Sequence, residues 1–163
     1  VSALPRGVVT LLLADVEGST RMWERDSSEA RRAMSEFDEL VNELVAKFDG
    51  VRPVEQGEGD SFVAGFALPT DALACAMEIQ RQLVDGALRV RVGMHTGEVL
   101  VRDGARYDGA TIIRAARLRD LAHGGQTLVS SSTRDLVQEA LPDGTDLVDL
   151  GPHRLKGLDR PER

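Results

Sequence analysis

Cysteine is nearly missing from this sequence. Cys75 is the only one in 163 residues, which excludes an internal disulfide framework and a metal site of the zinc-finger kind. It sits among Ala72, Ala76 and Ile79 on one helical face, the setting of a buried, inert thiol. Clusters of lysine and arginine are missing too, and the net charge is −7, so the chain is a poor electrostatic partner for nucleic acid. A polyphosphate bound to it would need metal ions beside it. No apolar run approaches the roughly 20 residues of a membrane span, and Gly and Pro are not in excess. Val1 to Gly7 carry neither the basic nor the apolar region of a signal peptide. The expectation is a soluble, cytoplasmic protein without membrane contact. Repeats, low-complexity tracts and linkers are absent as well. With 42% hydrophobic residues, residues 1–163 fit one compact domain.

What is present alternates between strand and helix patterns. Gly7 to Asp15 (GVVTLLLAD) is a nearly continuous apolar, β-branched run ending in an acid, as in a central strand covered on both faces. Ala30, Met34, Phe37, Val41, Leu44 and Phe48 recur at spacings of four and three and predict a long amphipathic helix closed by Asp49-Gly50. Val51 to Glu55 and Ser61 to Phe66 read as two strands of a hairpin around Gln56-Gly57-Glu58-Gly59-Asp60. Pro69-Thr70 opens a helix with Ala72, Cys75, Ala76, Ile79 and Leu83 on its buried face. Leu88 to Met94 alternates as a half-exposed strand, Thr96-Gly97 turns the chain, and Glu98 to Arg102 forms another strand. A helix from about Asp108 to Ala122 is stopped by His123-Gly124-Gly125. Gln126 to Ser130, a capped helix from Ser131 to Thr133 onward, and Thr145 to Leu150 complete the alternation. The fold class is α/β, a sandwich with helices packed on a sheet.

Several residues carry possible chemistry. Asp15 at a strand end and Asp60 in a turn would converge if their strands are neighbours, and two aspartates suit Mg²⁺ or Mn²⁺ bound with substrate phosphates. Solvated or capping carboxylates are the plainer reading of the same spacing. Val16-Glu17-Gly18-Ser19-Thr20 is a small-residue loop leading into a helix, whose N–H groups either cradle phosphate or simply cap the helix. Ile113 and Arg117 lie four apart on one helical face, where an arginine is a phosphate clamp or an ordinary surface cation. His95, His123 and His153 stand apart at turns and suit structural roles. Trp23 and Met22 are expected to cover the core beneath Ser19-Thr20.

The blocks ADVEGST, EQGEGDSFVAGF, VGMHTGEV and YDGATIIRAARLRDLA, in this order across nearly the whole chain, resemble the class III nucleotidyl cyclases. The likeness is greatest to the cyclase domains at the head of multidomain bacterial transcriptional regulators. The resemblance implies a ferredoxin-like core with a mixed, mostly antiparallel sheet, and a head-to-tail homodimer with two active sites at its interface. It implies that the substrate is a purine nucleoside triphosphate, ATP or GTP, and that two Mg²⁺ or Mn²⁺ ions are held by Asp15, Asp60 and Val16. Glu17, Gly18, Ser19 and Thr20 become the phosphate loop, and Arg117 the arginine that enters the partner's site.

Three positions depart from the family pattern. The purine-reading lysine is Gln56, able to bond either purine edge, and its aspartate partner is Arg106. Arg106 either approaches guanine or pairs with a nearby acid such as Asp103. The ribose-orienting asparagine is Ile113, which supplies no hydrogen bond. The reading is a purine nucleotidyl cyclase of low activity. The alternative is a degenerate domain that binds nucleotide or dimerises to regulate an attached effector. A cyclic-dinucleotide synthase, suggested only by Gly57 to Asp60, ranks third because Ser61 stands where its second acid belongs. After Pro161-Glu162-Arg163 family members usually continue into one more strand; the domain is expected to belong to a longer regulator and, if the missing segments help assembly, to be largely monomeric in isolation.

Overall fold

The computed structural model describes residues 2–57 and 59–163. Val1 of the N-terminal stretch and Glu58 of the expected hairpin turn lie outside the described residues. In chain order the elements are β1 (Gly7–Val16), α1 (Ser19–Arg25), α2 (Ser27–Lys47), β2 (Ser61–Phe66), α3 (Pro69–Leu83), β3 (Val90–Arg102), β4 (Arg106–Asp108), α4 (Ala110–Leu121), β5 (Thr127–Val129) and α5 (Ser131–Val137). The apolar run of β1 is the middle of the sheet, paired antiparallel with β2 on one edge and β3 on the other. Because β1 fills one edge of β3, the other edge takes β5, parallel at Val92–Met94, and β4, antiparallel at Leu100–Arg102. The result is the expected mixed, mostly antiparallel sheet of five strands.

Strand periodicity sorts the core into two layers. Leu12, Ala14 and Val16 of β1 face Phe37, Val41 and Leu44 of α2 and Leu73, Ala76 and Ile79 of α3. Leu11 and Leu13 face Tyr107 and Ala115, on the side covered by α4. The predicted stripe of α2 is buried from Ala30 to Leu44, and Phe48 caps the helix end. Its start is fixed by the Asp26 carboxylate, which accepts from the Ser28 and Glu29 N–H groups at 3.0 Å, a cap worth about 1 kcal/mol. Among the described residues, no helix is long and apolar enough to cross a membrane.

Some local expectations are corrected. Val51 makes only a bridge to Gly65, and residues 52–55 form no strand. The next main-chain group that would face β2 belongs to Pro53, which has no N–H to donate, so the hairpin ends there. Thr96-Gly97 is no turn: β3 runs unbroken, with Thr96 opposite Thr10 and Gly97 opposite Val9. Gly97 is needed instead for close approach, since a Cβ there would lie 2.8 Å from Thr111 Oγ1. Residues 145–150 are irregular, with Val148 and Leu150 exposed, because no strand of the described residues pairs with them. Met22 packs on the core as expected, whereas Trp23 is largely exposed.

Candidate active site

The β1 register decides where the candidate acids meet. Asp15 stands opposite Ser61 of β2 and opposite Arg91 of β3, and the Val16 N–H donates to the Asp60 carbonyl at 3.2 Å. The two aspartates therefore come to the same end of the sheet, as the sequence suggested. Following Leu11 and Leu13 with strand period, Asp15 belongs to the face that α4 covers. Arg91 grips its carboxylate with two donors, Nε to Oδ1 at 2.7 Å and Nη2 to Oδ2. Arg119 of α4 brings a second guanidinium, its Nε 3.8 Å from Oδ2. The bond to Asp15 raises the pKa of Arg91 further above its ordinary value, against the opposing effect of burial. Asp60 is bound differently, accepting the Ser19 hydroxyl.

The loop after Asp15 is partly engaged within the chain. Besides Val16, the Glu17 N–H donates to the Arg89 carbonyl at 2.8 Å, so these two donors do not face an empty cradle. Gly18 takes a left-handed conformation (φ 72°) and turns the chain into α1, where Ser19 and Thr20 form the first helical positions. The Val16 side chain is buried in the core, leaving only its main-chain carbonyl as a ligand. Two carboxylates and a carbonyl are hard oxygen donors that fit Mg²⁺ or Mn²⁺. Among the described residues no group of three or more His, Cys, Asp or Glu side chains gathers to hold a metal, so an ion here would draw on substrate oxygens as well.

The two positions expected from the sequence to read the base are adjacent but occupied. The Gln56 carboxamide imitates a strand against β4: its Nε2 donates to the Tyr107 carbonyl and its Oε1 accepts the Tyr107 N–H, both at 2.7 Å. Arg106 pairs with Asp108, Nε to Oδ1 at 3.4 Å, and not with Asp103. That Nε is buried without a hydrogen bond, and the other oxygen of Asp108 meets Arg102 at 2.7 Å.

Helix α4 lies very close to β3. A Cβ on Gly93 would meet the main chain of Ala115 and Arg119, so glycine sets this helix–sheet distance. Ile113 and Arg117 both sit on α4, with Ile113 45% exposed. Arg117 is held within its own chain, its Nε donating to the Lys156 carbonyl at 2.9 Å.

Sequence reading passed over a buried polar network further along β1 and β3. His95 is in β3 and not at a turn; its Nδ1 lies 2.6 Å from Ser130 Oγ and 3.2 Å from Ser132 Oγ, and burial lowers its pKa. Hydroxyls of Thr10, Thr96, Thr133 and Ser130 continue the chain of contacts. Glu162 receives the Arg114 guanidinium at 2.9 Å and the N–H and hydroxyl of Ser131. Burial alone would raise the Glu162 pKa; these donors outweigh it and hold the carboxyl below its ordinary value. Arg91 and Arg119 were passed over too, although Arg91 alternates with the buried Val90 and Val92. Burial pushes the Cys75 thiol up to about 12, which keeps it inert. A cleft of about 540 Å³ between α4, β5 and the C-terminal segment contains none of the predicted site residues.

The family described as "Adenylate and Guanylate cyclase catalytic domain" matches residues 1–162. The chain belongs to this family. An uncharacterized protein of Mycobacterium tuberculosis is 52% identical over 158 residues, covering 97% of this chain and 55% of that protein. A putative adenylate cyclase of Rhizobium meliloti is 28% identical over 98% of the chain and 28% of its own length. The chain spans about half the length of the Mycobacterium tuberculosis relative. Among solved structures, an adenylate/guanylate cyclase/hydrolase from Silicibacter pomeroyi superposes with a TM-score of 0.85 at 27% identity, covering 98% of this chain and 95% of that one. An adenylate cyclase from Trypanosoma brucei in its monomeric state gives 0.87 at 24% identity, over 99% and 91%; that likeness speaks for the fold.

Proposed function

We propose that the domain is a purine nucleotidyl cyclase of low activity, converting ATP or GTP to a 3′,5′-cyclic nucleotide and pyrophosphate. It works in the cytoplasm, where its substrate is found, as a head-to-tail homodimer and as the head of a longer regulator. The observation that carries this reading is the β1–β2 pairing, which brings Asp15 and Asp60 to one sheet end, with Arg119 of α4 close to Asp15. Asp15, Asp60 and the Val16 carbonyl are the groups to hold two Mg²⁺ or Mn²⁺ ions. Bound there, the ions would activate the ribose 3′-oxygen for attack on the α-phosphorus and offset charge on the leaving pyrophosphate. Ser19 orients Asp60, and the start of α1 offers N–H groups to phosphate. Arg117 is the arginine offered to the partner's site, after leaving the Lys156 carbonyl. Ile113 withholds a transition-state hydrogen bond, a deficit of about 3 kcal/mol by comparison with loss of one oxyanion-hole donor.

The test is cyclic nucleotide formation with Mn²⁺, in wild type and in mixtures. Asp15→Ala and Arg117→Ala should each be inactive alone, and mixing them should restore one working site per heterodimer. A dimeric, active wild type whose variants fail to complement would rule out the shared site. Nucleotide binding without turnover would favour the regulatory binding module, which Ile113 and the engaged Gln56 suit.

A further inference from the structure

Asp15 already has a cation. Its carboxylate lies in the middle of three strands with Arg91 as its cross-strand neighbour, bound through two nitrogens. The pair is mostly withdrawn from water, with side-chain exposures of 16% for Asp15 and 27% for Arg91. Arg119, 20% exposed, stands by from α4, shared with Asp120 at 3.1 Å. Asp120 and Glu17 are the further acids whose charges reach Arg91. Across the strand end, Asp60 has no such partner among the described residues and takes the Ser19 hydroxyl. The two acids expected to share a metal are thus unequal. One is neutralised by a guanidinium whose fork fits a carboxylate or a phosphate equally well.

We propose that Arg91 is a positioning residue that holds Asp15 closed to divalent cations until a nucleoside triphosphate arrives. The triphosphate then draws the guanidinium onto its own oxygens and frees Asp15 for the ion. The inference rests on Asp15 being a metal ligand, as the proposed function has it. Its consequence is ordered assembly: the free domain binds metal poorly, the metal–nucleotide complex binds well, and the two ligands are strongly coupled. The physical basis is competition for the same lone pairs. A guanidinium at hydrogen-bonding distance from a partly buried carboxylate interacts with it far more strongly than charges in water do, and a metal must displace at least part of that bond.

Titrating nucleotide-free protein with Mn²⁺, with free ion followed by electron paramagnetic resonance, tests this without recourse to activity. Arg91→Gln should bind Mn²⁺ at least about tenfold more tightly than wild type, by removal of a charge at contact distance. The gain should vanish in Arg91→Gln combined with Asp15→Asn. The tightening of Mn²⁺ binding by added nucleotide should be several-fold smaller in Arg91→Gln than in wild type. A folded Arg91→Gln protein with wild-type Mn²⁺ affinity, or a gain that survives Asp15→Asn, overturns the proposal. If Arg91→Gln does not fold, Arg91→Lys decides: it keeps the charge but loses the fork, so a gain of about two- to threefold is expected and none counts against the idea. Asp15→Asn alone separates this from the underlying reading. If it abolishes Mn²⁺-dependent nucleotide binding while Arg91→Gln changes nothing, only the role of Arg91 falls. If it leaves that binding intact, the metal assignment falls with it.

Discussion

Replacing Gly93 by alanine tests whether the distance between α4 and β3 governs both stability and the site. Gly93 lies in β3, where glycine costs about 0.5–1 kcal/mol relative to alanine through backbone entropy, so the isolated strand would gain from the change. The added Cβ, however, would lie 2.6 Å from the Ala115 carbonyl oxygen and 2.8 Å from Arg119 Cα, and nearer still to Arg119 N. Ordinary carbon contacts begin near 3.5 Å, and these are main-chain atoms that no rotamer change moves aside. Helix α4 must therefore retreat by about 1 Å, and overpacking of this kind costs about 1–3 kcal/mol. The penalty outweighs the entropic gain, and the expected net loss is about 1–2 kcal/mol. Because α4 carries Ile113, Arg117 and Arg119, a 1 Å displacement should also lower cyclase activity by up to about a hundredfold. Urea unfolding followed by circular dichroism measures the first effect, and Mn²⁺-dependent turnover under conditions where the variant is fully folded measures the second. A Gly93→Ala protein as stable as wild type or more so would refute the argument that α4 rests directly on this strand.

Ile113→Asn should raise kcat, by up to about 10²–10³, with little change in KM. Position 113 is half open to solvent, so stability should stay within about 0.5 kcal/mol; a folded, dimeric variant with no gain in cyclic nucleotide formation places the defect elsewhere. Gln56 is engaged by Tyr107 and Arg106 by Asp108, so the kcat/KM ratio of ATP to GTP should stay below about 10³ in either direction; a larger ratio in competition assays contradicts this. His95 and Glu162 both have lowered pKa values in the fold, so the unfolded chain binds more protons than the folded one and stability falls with acid. The His95 contribution is complete above its unfolded value of about 6.5 and is lost as pH drops below it, while that of Glu162 follows below about pH 4.3. Urea midpoints at pH 7.5 and 5.5 should differ more in wild type than in His95→Gln, and an equal drop in both would exclude His95 as the source.

The sequence by itself determined the apolar interior of β1, the buried stripes of α2 and α3, and the placing of Asp15 at the end of one strand and Asp60 in the turn before another. Those features rest on periods of 2 and 3.6 residues, which are local and survive in one dimension. The resemblance to the cyclase pattern, read from the same sequence, marked Ile113 as a departure, since an apolar side chain cannot take over a hydrogen bond. Local signals failed where long-range pairing decided. Thr96-Gly97 looks like a turn until Thr10 and Val9 are placed opposite, and Val51 to Glu55 looks like a strand until Pro53 faces an edge that needs its N–H. Gln56 reads as a free side chain, but its partner Tyr107 is 51 residues away. Asp15 reads as a free carboxylate, but Arg91, 76 residues on, binds it. Only the tertiary structure decided these last two, because a cross-strand or edge contact depends on the register of strands distant in the chain, and a one-residue slip would send every such side chain to the other face of the sheet.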